Sequence, residues 1–265
     1  MKIAIIGAGN MGGAVARGLA CGSTVSTSDI FVSNPSTAKL EALKNEFPEI
    51  NVTTDNCKAA TSADLIVLAV KPWKVEEVIE EIKPHVDYTH QAIASMVGGL
   101  GTEQLSKWLD KDCGILPATY LIIPNTAIAT MSSMTFISSV RSTAAKDSEV
   151  LNIFNELGEA MLVEEKLIPA GTSLASCGIA YALRYIRAAM EGGVELGFRA
   201  DDAKRIVMQT LRGAVDILDA GGQHPEVEID RVTTPGGLTI KGLNAMEAAG
   251  FTNSVIEGLR ASTKR

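Results

Sequence analysis

The chain has 265 residues, of which 46% are hydrophobic and only 5% aromatic, and a formal net charge of −7. That length suits one large domain or two smaller ones, and the negative balance disfavours nucleic acid and anionic membranes as partners. Cys21, Cys57, Cys113 and Cys177 lie far apart and share no metal-ligand spacing with His85, His90 or His224, so free thiols in a reducing compartment and no metal site are expected.

Lys2-Ile3-Ala4-Ile5-Ile6 reads as a short buried strand. It leads into Gly7-Ala8-Gly9-Asn10-Met11-Gly12 and then a small-residue helix from Gly13 to Ala20. Strand, glycine turn and helix together give a G-x-G-x-x-G match its meaning. Gly7 allows the tight turn, Gly9 lets the backbone approach a pyrophosphate, and Gly12 lets the helix sit close to the sheet. The first-turn amides, Asn10 and Met11 among them, lack intrahelical partners and make an anion site. The turn also comes too early for a signal peptide to precede it, and the longest apolar runs are too short to span a bilayer. A cytoplasmic protein is expected.

Ile30-Phe31-Val32-Ser33 reads as the second strand, followed by a helix from Ser36 to Phe47 with Ser36 as its cap. Asn51 to Thr54 is a weak strand, and the continuous apolar run Leu65 to Val70 suits a strand buried on both faces. Lys74 to Ile82 and Gln104 to Leu109 read as helices, with a strand from Ala92 to Val97 between them. Strands follow at Tyr120 to Ile123, Thr135 to Val140 and Ala160 to Val163, with a helix from Ala145 to Leu157 before the last. This alternation predicts an α/β fold with a Rossmann-type, doubly wound, mostly parallel sheet over residues 1–160. After Pro169 no strand signal follows. Residues 161–265 are expected to form an all-helical domain, with helices from Ala170 to Leu196, Ala200 to Ala220, Pro235 to Ala249 and Thr252 to Ala261. Gly192-Gly193 inside a helix costs roughly 1 kcal/mol per glycine, so close packing, against another subunit among the options, is the expected compensation.

NAD-binding sheets often carry an acidic residue at the end of the second strand, where it bonds the ribose 2′-hydroxyl. Here that strand ends Ser33-Asn34-Pro35, and Asp29 lies at the wrong end. Hydroxyl and amide groups can donate to a 2′-phosphate, which favours NADP over NAD. Ala69-Val70-Lys71-Pro72 follows the buried strand at its carboxyl end and should border the cofactor, although an ordinary connecting loop reads the same way. Val232-Thr233-Thr234-Pro235-Gly236-Gly237-Leu238-Thr239 sets hydroxyls around a Pro-Gly-Gly turn at a helix start. Its amides suit a carboxylate, and a plain helix cap is the competing reading.

The chain resembles the pyrroline-5-carboxylate reductases over essentially its whole length. The resemblance rests most specifically on Asp230 to Thr239, followed by Gly242-Leu243 and Met246-Glu247. Ala69-Val70-Lys71-Pro72, Pro124-Asn125-Thr126, Asn56, Gly192-Gly193-Val194 to Gly197, and His224-Pro225 also match. The family's usual Ser-Gly-Ser-Gly-Pro-Ala-Tyr reads Ala175-Ser176-Cys177-Gly178-Ile179-Ala180-Tyr181 here. The proline expected after Pro-Asn-Thr is Ala127.

The resemblance implies reduction of the cyclic imine 1-pyrroline-5-carboxylate to L-proline by hydride transfer from NADPH, with NAD as the alternative cofactor. It places Gly7, Gly9, Asn10, Met11, Gly12, Ser33, Asn34, Asn56, Ala69, Val70, Lys71, Pro72 and Asn125 at the cofactor. Val232, Thr234, Gly236, Gly237 and Thr239 fall at the substrate, with the Thr239 hydroxyl on the ring nitrogen. The helical domain is expected to form a homodimer unit that larger rings can be built from. Competing expectations are a reductase of another imine, a deazaflavin-dependent NADP reductase sharing the first glycine turn, and a non-catalytic NADP-binding homologue.

Overall fold

The computed structural model describes residues 1–112 and 114–263; the free thiol expected at Cys113 lies outside them. By contact density the chain divides into two compact units, 1–176 and 177–265.

The first unit holds β1 (Ile3–Ile6), α1 (Asn10–Cys21), β2 (Ile30–Ser33), α2 (Thr37–Glu46), β3 (Asn51–Thr53), α3 (Asn56–Thr61) and β4 (Leu65–Leu68). It continues with α4 (Val75–Ile82), β5 (Ala92–Ser95), α5 (Thr102–Leu109), β6 (Ala118–Ile123), β7 (Ser133–Val140), α6 (Ala144–Asn155), β8 (Gly158–Leu162) and α7 (Ile168–Gly171). The strands form one sheet in the order β3-β2-β1-β4-β5-β6-β7-β8, parallel except between β6 and β7. The chain order reverses between β1 and β4, which opens a crevice at the carboxyl ends of the central strands.

Both faces of the sheet are covered, so the strands read as unbroken apolar runs. Side chains alternate between two cores. Ile3, Ile5, Leu65 and Val67 pack with Val15, Leu19 and Phe154 on one face. Ala4, Ile6, Ile66 and Leu68 pack with Ile79, Ile82 and Leu105 on the other. Gly171 brings α7 onto β7, because a Cβ there would stand 2.8 Å from the Phe136 ring.

Several boundaries move from their sequence-based positions. The Ser36 side chain makes no capping bond to α2. Instead its carbonyl accepts from the Asn34 amide at 3.2 Å. A six-residue helix, α3, lies in the stretch between β3 and β4, to which the sequence assigned no element, capped by Asp55 accepting from the Lys58 N–H at 2.9 Å.

The second unit is all helical: α8 (Gly178–Glu195), α9 (Ala200–Gly221), α10 (Pro225–Arg231), α11 (Leu238–Ala248) and α12 (Phe251–Ala261). The single long helix expected from Ala170 is interrupted, since Thr172–Cys177 winds as a π-helix between α7 and α8. Such widened turns are rare in helices and recur at functional positions. Gly193 packs α8 onto α9, because a Cβ would lie 3.0 Å from that of Ala203, whereas Gly192 faces open space. Among the described helices none is long and apolar enough to cross a membrane.

Candidate functional site

The glycine turn divides its labour cleanly. Gly7 adopts φ +109°, and a Cβ there would stand 2.6 Å from the Ala69 carbonyl oxygen. At Gly12 a Cβ would collide with the Gly7 carbonyl and lie 2.8 Å from the Ala69 Cβ. These two glycines bind β1, α1 and β4 together. At Gly9 a Cβ would meet nothing within 4 Å, so this position opens outward. The helical ladder begins with the Gly13 N–H donating to the Gly9 carbonyl at 2.8 Å. The amides of Asn10, Met11 and Gly12 precede it and have no protein partner among the described residues. A groove of about 710 Å³ opens here past Ala8, Gly9 and Asn10 and runs along α1 beside Lys39 and Met131.

At the end of β2, Ser33 and Asn34 are buried and committed to the protein. Asn34 Oδ1 accepts from the Ala8 N–H at 3.0 Å, which braces the glycine turn from the neighbouring strand. Ser33 Oγ donates to Asn56 Oδ1 at 2.7 Å, and Asn56 Nδ2 donates to Glu81 Oε2 at 2.8 Å. Beside them, burial first, then Glu81 and Asp55, pushes the Cys57 thiol pKa up. No acidic side chain stands between Ser33 and Lys39.

Ala69 and Val70 continue β4 at the same edge and are half-buried, while Lys71 and Pro72 are exposed at the next turn. The Ala69 N–H donates to the Ile6 carbonyl at 2.9 Å, which ties this loop to β1. Asn125, at the end of β6, is 5% exposed. Its Oδ1 accepts from the Ala127 N–H at 3.0 Å, and its Nδ2 reaches the Ala175 carbonyl in the π-helix at 3.4 Å. Gly7, Gly9, Ser33, Asn34, Asn56, Ala69 and Val70 thus gather at the carboxyl edge of β3, β2, β1 and β4. An outward-facing glycine, three leading helix amides and no carboxylate on the adjoining strand end fit the pyrophosphate and phosphorylated ribose of NADP.

Another carboxylate shows how a helix start of this fold takes an acid. Glu165 receives the Thr102 N–H at 2.9 Å and the Thr102 hydroxyl at 2.5 Å, capping α5. Its contact spans 63 residues, which hides it from local sequence patterns.

In the second unit, Gly236 takes φ +71° and Gly237 is the cap position of α11. The Gly237 N–H is already given to the Thr234 carbonyl at 3.0 Å. A Cβ on Gly237 would stand 2.5 Å from Thr234 Oγ1, so glycine keeps the turn tight. The Thr233 hydroxyl is turned inward to the Ile229 carbonyl at 2.6 Å. Val232, Thr234 and Thr239 are exposed, and the Leu238, Thr239 and Ile240 amides precede the α11 ladder. Thr234 and Thr239 therefore stand on either side of a set of open donors.

Comparison with known proteins agrees with this arrangement. The family model for pyrroline-5-carboxylate reductase dimerisation matches residues 165–265. A second, for coenzyme F420-dependent NADP oxidoreductases, matches residues 2–98. Pyrroline-5-carboxylate reductase 1 of Dictyostelium discoideum is 38% identical over 99% of this chain, which spans 49% of that relative's length. Pyrroline-5-carboxylate reductase 2 of the same organism is 36% identical over 100% of the chain and 91% of the relative. The crystal structure of Plasmodium falciparum pyrroline carboxylate reductase with NADP bound superposes with TM-score 0.86 at 26% identity, covering 99% of this chain and 95% of that one. With its Rossmann-type sheet, its open glycine turn and full-length likeness to these enzymes, the chain belongs to the pyrroline-5-carboxylate reductase family.

Proposed function

We propose that the chain reduces 1-pyrroline-5-carboxylate to L-proline with NADPH. The observation that carries this reading is the turn into α11, where Gly236 and Gly237 set Thr234 and Thr239 around unengaged helix amides. A carboxylate suits those amides and the local helix dipole. NADPH, when bound, supplies a hydride that adds to the imine carbon. The residues left to this chain bind, orient and handle one proton. Gly9, Asn10, Met11 and Gly12 take the pyrophosphate. Thr234, with the amides at the start of α11, takes the substrate carboxylate, and Val232 lines that turn. The Thr239 hydroxyl bonds the ring nitrogen as the double bond becomes a single bond, while the nitrogen keeps the proton it carries as an iminium. Fixing the imine carbon in reactive geometry removes several kcal/mol of entropic barrier.

In this reading residues 1–160 bind the cofactor, and residues 161–265 bind the substrate and dimerise. Dimers are the building unit, and a larger ring would repeat them. The family model for dimerisation supports the pairing. Cys21, Cys57 and Cys177 are free thiols, which suits a reducing compartment such as the cytoplasm.

The test is loss of NADPH absorbance on addition of 1-pyrroline-5-carboxylate. Thr239→Ala should lower kcat/KM about tenfold, the worth of one strong neutral hydrogen bond. A rate within twofold of the parent removes Thr239 from the reaction. A second reading, reduction of another cyclic imine, is favoured by Ala175 and Cys177 within the π-helix and Ile179 just after it, which depart from the family pattern. Fast turnover of such an imine, with none of pyrroline-5-carboxylate, selects it.

A further inference from the structure

We propose that Glu81 is a positioning residue of the cofactor site, which fixes the Asn56 amide and sets the balance between dinucleotides with and without a 2′-phosphate. The inference rests on the cofactor reading above. Ser33 ends β2, and in doubly wound nucleotide folds that strand end receives the ribose bearing the 2′ substituent. Asn56 opens α3 beside it, and Glu81 comes from α4, 25 residues further along.

The hydrogen bonds determine the direction of every donor. An ionised carboxylate only accepts, so the Asn56 edge facing Glu81 is Nδ2. Oδ1 then faces Ser33, and the Ser33 hydroxyl proton is committed to it at 2.7 Å. Asn56 retains one Nδ2 hydrogen to offer a ligand. The series runs from buried Ser33 through half-buried Asn56 to exposed Glu81, so its outer end is the part a ribose substituent can meet.

Charge acts in the opposite sense to this donor. No ion pair neutralises Glu81 among the described residues, although Lys83, just past the end of α4, pairs with Glu80 close by. Cys57 neighbours Glu81, its Sγ donating to the Glu81 carbonyl at 3.4 Å, and Glu81 adds to burial in raising the Cys57 thiol pKa. An adenosine ribose with a free 2′-hydroxyl is indifferent to the Glu81 charge, whereas a 2′-phosphate is opposed by it. Asn56 held in place serves both cofactors, and the uncompensated charge admits NADH beside NADPH.

The experiment is calorimetric binding of NADP⁺ and NAD⁺ to the full-length chain and to two variants. Nucleotide binding by the parent tests the cofactor reading separately. Glu81→Gln keeps an acceptor for Asn56 and removes the charge. It should raise the ratio Kd(NAD⁺)/Kd(NADP⁺) about three- to tenfold at low salt, less at high salt, as expected for a screened charge a few ångströms from a phosphate. NAD⁺ affinity should stay within twofold. Glu81→Ala frees Asn56 as well as removing the charge, and should weaken NAD⁺, which the charge does not affect. Site-resolved alkylation of Cys57, faster in Glu81→Gln, reports the lost charge independently of binding. An unchanged ratio in a Glu81→Gln protein whose Cys57 reacts faster overturns the proposal, as does Glu81→Ala binding NAD⁺ like the parent.

Discussion

Gly9 and Gly12 are three residues apart in one turn, yet a methyl group at each has opposite consequences. Gly12→Ala drives Cβ into the Gly7 carbonyl and the Ala69 side chain. Overpacking of this kind costs about 1–3 kcal/mol, with each kcal/mol lowering Tm by about 2–4 °C in a chain of this size. Gly9→Ala meets no protein atom, so Tm should hold while dinucleotide affinity falls about tenfold or more; scanning calorimetry and a binding titration on both variants separate the two roles. Spacing alone indicated which glycines pack tightly and which faces outward, because the turn is local. It did not reveal that Asn34 braces the turn, since that bond joins residues 26 apart. Glu156 behaves similarly. Its Oε1 accepts from the Ser23 and Thr24 amides at 2.6 and 2.7 Å, pinning the loop after α1. Burial raises its pKa, but the bonds from Ser23 and Thr24 outweigh burial and hold it below the usual value. A carboxyl depressed in the folded state stabilises above its unfolded pKa, and the benefit is lost as pH falls through the folded value. Glu156→Gln should therefore lower Tm at neutral pH, and the difference from the parent should shrink towards pH 3–4, near where ordinary glutamates protonate. A pH series of thermal melts checks the sign.

Elements were legible in proportion to their length and apolarity. β1, β2, β4 and β5 are four-residue strands buried almost throughout, and continuous apolar runs announced them. α3 and α10, of six and seven residues, escaped notice because so short a helix shows no full amphipathic period. Their signals were at the caps: Asp55 for α3, and His224 accepting from the Glu226 N–H at 3.3 Å before Pro225 for α10. The π-helix left no composition mark at all, since small residues such as Ala175 and Ser176 suit either winding. Capping also supplies a test at this scale. Glu165 takes two bonds from Thr102 at the start of α5, and Gly101 leaves room for it, a Cβ there lying 2.9 Å from Oε1. Glu165→Ala should cost about 1–2 kcal/mol, as loss of a charged helix cap does, and lower Tm accordingly. An unaltered Tm would show that water replaces the carboxylate without loss.

At the scale of the whole molecule, the two units differ in how far each buries its own apolar surface. The first has two cores, one on each face of its sheet. In the second, Ala203 is the one residue that counts as fully buried among the helices α8 to α12, while Leu196 is 83% and Leu238 86% exposed. Tyr185, Phe251 and Val255 line an apolar hollow of about 710 Å³ between α8 and α12. The helices were legible in the sequence, but what covers them was not, because helical periodicity identifies an apolar face and says nothing of its occupant. Sedimentation should give a species no lighter than two copies of the 27.9 kDa chain. Val255→Asp should dissociate it, and a monomeric parent would refute the pairing. The scarcity of buried side chains after residue 177 also governs how the protein is made. A segment that cannot shield itself must wait for its counterpart, so its acquisition of native structure becomes a second-order event. Renaturation half-times should shorten as protein concentration rises, and newly synthesised chains will be most vulnerable to proteases and clumping while copies are scarce.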